Sequence, residues 1–188
     1  MPDDSGTTRD VPTPGRTHAR GPVRQVATAA VAIALLPAGV WLSAQVRPGP
    51  ALHDVALFAH LGFLILGFGA VLVADYFFAL WVLGRTTLAE AMANTSRLHL
   101  LVWSGVVGLI GSGALLRPDL GKGFTILKLV LVAALVINGT QAMVLDRRIR
   151  SLAGRPPVRL LLWGALTAVI SQVSWWGAVV IGYLNTRR

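Results

Sequence analysis

The chain has 188 residues, 54% hydrophobic and only 13% charged, with a formal net charge of +9 and a mean hydropathy of +0.65. Soluble domains carry about 25% charged residues and shorter apolar runs, so the composition is that of an integral membrane protein. The Arg residues lie between apolar stretches, where they orient spans and meet lipid head groups rather than nucleic acid, and the lack of cysteine excludes disulfides, thiolate zinc sites and iron–sulfur clusters.

Residues 1–24 are polar, rich in Pro, Gly and Thr, and free of hydrophobic periodicity. A disordered basic tail is expected there, with His18 solvated within it. From residue 25 to 188 the chain reads as an all-α polytopic membrane helix bundle. Its first expected span is Val26–Ala44, kinked at Pro37 and carrying an interfacial Trp41. The same stretch also reads as a signal peptide, a basic region followed by an apolar run and small residues. Five transmembrane helices are therefore expected, or four if the first is cleaved.

Pro50 suits the first position of a second helix that runs to about Leu83. Thr87 and Glu90 have the spacing of a capping box, which starts a third helix at Leu88 and carries it to Leu116. Gly105, Gly108 and Gly111 recur along it, exposing backbone for close helix contact. After a Pro- and Gly-rich turn at 117–123, a fourth helix spans about Phe124–Leu145 and closes at Asp146–Arg150. The fifth covers about Val158–Leu184, with Thr167, Ser171 and Ser174 on one face and Trp175-Trp176 as packing or interface residues.

With the N-terminus in the cytoplasm, alternating spans put eleven Lys and Arg on the cytoplasmic side and five outside, with Lys128 in the membrane. That asymmetry predicts a multi-pass cell-membrane protein with a cytoplasmic N-terminus and an external C-terminus.

Ionisable groups within such spans are functional candidates by default. His60 on the second helix and Lys128 on the fourth fall at similar depths in the outer half, with His53 two turns before His60. Asp75 and His99 fall in the inner half on adjacent antiparallel helices, where they read as a structural polar pair, with Asn138 and Gln141 at the same level. Each has a plainer reading: His60 as a helix–helix hydrogen bond, Lys128 as a side chain snorkelling to the interface.

A membrane helix beginning with His, a Gly-rich helix and a helix opening FTILKLVLVAALVINGTQAM resemble a known membrane superfamily. It comprises the copper-resistance protein D family and the haem-dependent protoporphyrinogen oxidases of bacterial membranes. The resemblance spans about Ala51–Asp146 and implies a bacterial inner-membrane protein holding haem b, with His60 and Lys128 at the matching cofactor positions. His60 would then be the metal ligand, since imidazole is the usual protein donor to haem iron. Three functions remain open: a haem-binding or redox-associated protein, a copper or cation handler, and a non-enzymatic membrane partner or assembly subunit. The lipid bilayer is the expected partner, alongside a protein partner or a second copy; whether the chain is an enzyme is left open.

Overall fold

The computed structural model describes residues 48–152 and 154–185, with scattered positions between 27 and 45. The expected tail and eight of the nineteen positions of the expected first span lie outside the described residues, and with them the choice between a fifth helix and a signal peptide. Described positions between 27 and 45 are helical, and Gly39 among them sits against Ile110 and Ala114.

Four long helices follow: α1 Pro50–Val82, α2 Leu88–Leu115, α3 Gly123–Arg150 and α4 Val158–Asn185. Each is long and apolar enough to cross a membrane; 28 residues rise about 42 Å against a hydrocarbon core of about 30 Å. Large apolar side chains also point outward along all four, among them Phe58, Leu100, Ile137 and Val173. Such surface has no place in water but costs nothing against lipid.

Local sequence sets the boundaries. Pro50 occupies the first position of α1, and His53 N donates to Gly49 O at 3.0 Å. At the other end Gly84 takes φ of 70°, so that its N–H donates to Trp81 O and that of Arg85 to Leu80 O. This is a Schellman end, in which glycine adopts the left-handed backbone without a Cβ clash. The capping box closes the same turn: Glu90 N donates to Thr87 Oγ1 at 3.2 Å and Thr87 N to Glu90 Oε2 at 2.9 Å. A cap of this kind contributes about 1 kcal/mol. The fourth expected helix needs correction at its end, because Asp146–Arg150 continues α3 rather than closing it. Arg150 Nε reaches back to Asp146 at 2.9 Å, and three Arg in the last turn complement the helix dipole.

The bundle is two helical hairpins, α1 along α2 and α3 along α4, with few backbone contacts between them. Within the first, Gly67 and Gly105 bring two backbones together: a Cβ at Gly105 would lie 2.6 Å from Gly67 N and 3.0 Å from Phe63 O. Gly108 faces the Phe63 ring, but Gly111 has nothing within 4 Å. Three residues advance about 300° around a helix, so Gly111 lies about 120° from Gly105 and leaves the contact. Within the second hairpin, Asn138 Nδ2 donates to Thr167 O at 2.8 Å.

Side chains, chiefly aromatic, join the hairpins at mid-height. Phe68 stacks on Trp175 at 5.5 Å between centroids and meets Trp176 edge-on at 5.0 Å. Trp103 lies over Gly139, and Phe68, Trp103 and Trp175 form the core with Val71, Val106, Val136 and Met143. Above and below that layer the hairpins stand apart, and a cavity opens on each side.

Candidate functional site

Call the end of the bundle with the α2–α3 connection the upper end, and the end with the two hairpin turns the lower. His60 is ten residues into α1 and Lys128 five into α3, counted from helices that both start at the upper end. At 1.5 Å per residue they lie about 15 and 8 Å down. Both line one cavity of about 490 Å³, walled mainly by Leu, Val, Ile and Ala, with Thr125, Ser174, Trp175 and Tyr183 also on its surface. The structure thus brings together the two residues that depth alone had paired. His53 is exposed near the start of α1 and is not among the lining residues.

The imidazole of His60 is held by a residue that the sequence reading did not single out. Ser112 Oγ lies 3.0 Å from His60 Nδ1 and 2.6 Å from Gly108 O. A carbonyl only accepts, so the single hydroxyl hydrogen is committed to Gly108. Nδ1 must therefore be the donor to Ser112, which assigns the Nδ1–H tautomer and leaves the lone pair on Nε2. That is the nitrogen able to ligate a metal or accept a proton. The ring lies against Gly113, where a Cβ would meet His60 Cε1 at 3.4 Å, an ordinary contact distance. The signal was legible in principle: Ser112 lies between two glycines on the helix facing His60.

Lys128 Nζ lies across the cavity beside α4, 3.7 Å from where a Cβ on Gly182 would stand. Among the described residues it has no carboxylate partner, and no Asp or Glu lines this cavity. The upper cavity is therefore apolar, with one ammonium and one oriented imidazole. Among the described residues no three His, Asp or Glu side chains gather as a metal-binding group.

The lower half corrects one expectation. Asp75 and His99 do line a common cavity of about 350 Å³, but no hydrogen bond joins them among the described residues. Asp75 instead accepts from Gln172 Nε2 on α4, while His99 Nδ1 is buried without a partner. The carboxyl turns towards the facing hairpin, where a primary amide is within reach. The Ser171–Ser174 run thus contributes through Gln172, and Ser174 is buried above it. Asn138 is at the expected level and lines this cavity, but its amide is tied to α4. Trp175 is a core residue bordering both cavities, and Trp176 is exposed on the bundle surface.

No family model, no curated protein and no solved structure matches the chain.

Proposed function

We propose that the protein is a multi-pass membrane protein that binds an iron porphyrin, haem b in the simplest case, in the upper cavity. One observation carries the reading: His60, with Nδ1 engaged by Ser112 and Nε2 left with its lone pair, shares an apolar cavity with the unpaired ammonium of Lys128. The residues fit the group. Haem is a flat hydrophobic body with two carboxylates, and an apolar slot with one imidazole and one cation answers each part. The volume lies within the range of about 300–1,000 Å³ common for ligand pockets.

His60 Nε2 would hold the iron, Ser112 would fix the plane of the imidazole, and Lys128 would meet a propionate. Bound haem would supply a one-electron redox centre. The protein's part is to orient it and to keep water from it with the Leu and Val walls. The resemblance of Ala51–Asp146 to the copper-resistance protein D and haem-dependent oxidase superfamily supports the same two residues.

The test is an absorption spectrum of the protein purified from membranes supplied with haem, oxidised and reduced. Wild type should show a Soret band that His60→Ala removes while the protein still inserts, because insertion follows summed apolarity. Lys128→Met should weaken haem retention without changing the iron ligand, and Lys128→Arg should restore part of it. Wild-type protein without a Soret band after supplementation refutes the proposal.

A further inference from the structure

The lower cavity differs from the upper in the sign of its charge. In a chain with 17 Lys and Arg against 8 Asp and Glu, its described lining includes Asp75 and Asp146 but no Lys or Arg. Asp146 is taken by Arg150 at 2.9 Å. Asp75 has a neutral amide, Gln172, and no cation. A carboxyl group placed within an apolar helix and left without a counter-charge is costly, and burial is normally accompanied by pairing.

Several residues around the same space carry polar atoms buried away from it. Among the described residues, the buried side-chain atoms without a hydrogen-bond partner are Thr95 Oγ1, His99 Nδ1, Asn138 Oδ1 and Trp175 Nε1, and all four residues line this cavity. Buried polar groups are otherwise satisfied almost without exception. Asn138 is the firmest case, being only 5% exposed. Its Nδ2 donates to Thr167 O, and reversing the amide would set two acceptors against each other. Oδ1 is therefore a buried acceptor with nothing to accept, closed off from the open space of the cavity. Four aromatic rings, Phe78, Trp81, Trp103 and Trp175, complete the wall.

A carboxyl without a counter-ion and several aromatic rings are the parts that recognise an ammonium-type cation. The remaining wall is largely aliphatic. Such a wall disfavours a small hydrated cation and selects one that brings its own hydrophobic body. We infer that the lower cavity is a binding site for a lipophilic organic cation, with Asp75 as counter-ion and the aromatic rings of the wall as its neutral contacts.

The probe is radiolabelled tetraphenylphosphonium, measured by equilibrium binding to the full chain in nanodiscs, with protein-free nanodiscs setting the partitioning background. Saturable binding of one cation per chain is expected. Triphenylphosphine oxide, a neutral molecule with most of the same aromatic body, should compete at least about tenfold more weakly, and Asp75→Asn should weaken cation binding by about tenfold or more. Binding that is not saturable, as from a cavity holding water alone, overturns the proposal. So does equal competition by the neutral compound, or unchanged affinity in a folded Asp75→Asn protein. The competition in wild type decides the matter by itself if that variant does not insert.

Discussion

Gly105→Ala tests the packing argument on which both cavities depend. The new Cβ would stand 2.6 Å from Gly67 N and 3.0 Å from Phe63 O, and closer still to Gly67 Cα. Ordinary carbon contacts need about 3.5–4.0 Å, so α1 and α2 must part by about 1 Å. Backbone cannot rotate aside as a side chain does, and Trp175 Cη2 already lies 3.0 Å from the Cβ position on the other glycine, Gly67. Overpacking of this kind costs about 1–3 kcal/mol, while exchanging Gly for Ala in a helix returns about 0.5–1 kcal/mol. The net expectation is a loss of about 1–2 kcal/mol. Gly111→Ala is the matched control: the same exchange on the same helix with nothing within 4 Å, hence the propensity gain alone. Gly108→Ala should fall between them, because the Phe63 ring it meets can turn. Reversible unfolding in mixed micelles, followed by circular dichroism, reads all three. Equal stabilities for the Gly105 and Gly111 variants would refute the close approach of α1 and α2.

Two further predictions concern how the hairpins are joined and how they sit in the membrane. Gln172→Leu should destabilise by about 1–3 kcal/mol, because it leaves the Asp75 carboxyl without its partner. The double variant Asp75→Leu/Gln172→Leu should lose less than Gln172→Leu alone, and additive losses in the same unfolding assay would show that the pair does not interact. A reporter active only in the cytoplasm, fused after Arg188, should be silent if the eleven-to-five basic asymmetry sets the orientation; strong activity would reverse it.

What the sequence made legible was local or depended on depth alone. Pro50 and the Thr87–Glu90 capping box set helix starts because their partners lie within one turn. His60 and Lys128 could be paired because each lies a countable distance from the same end of the bundle. The partner of Asp75 was not accessible in this way: Gln172 is 97 positions away on a non-adjacent helix. Only the register of one hairpin against the other decides whether Asp75 meets His99 or Gln172. The end of α3 was misread for a different reason. Asp146–Arg150 is as charged as a loop, yet a helix leaving an apolar layer carries its charges on its last turn, where Asp146 and Arg150 pair. Ser112 passed unnoticed because a serine in a helix usually bonds its own backbone. It does so here, to Gly108, and that bond is what makes it an acceptor for His60.

The two cavities follow from how the hairpins avoid one another. Glycines let each pair of helices close tightly, as at Gly67 with Gly105, whereas Phe68, Trp103, Trp175 and Trp176 prop the pairs apart at mid-height. A ring spacer leaves unfilled volume on both sides of itself unless long side chains fill it. Here the neighbouring positions are small or of moderate size: Gly113, Thr125 and Ala178 above, Ala74, Gly139, Ala142 and Ala168 below. Polar groups then gather where that volume is. The upper space has a cation and an oriented imidazole, and the lower has a carboxyl. Val106, Leu135 and Trp175 line both, forming an apolar septum between groups of opposite charge. If the polar residues served packing alone, Lys128 and Asp75 would gain most by pairing with each other. The septum keeps them on opposite sides of the aromatic layer, and each is left to face a space of its own.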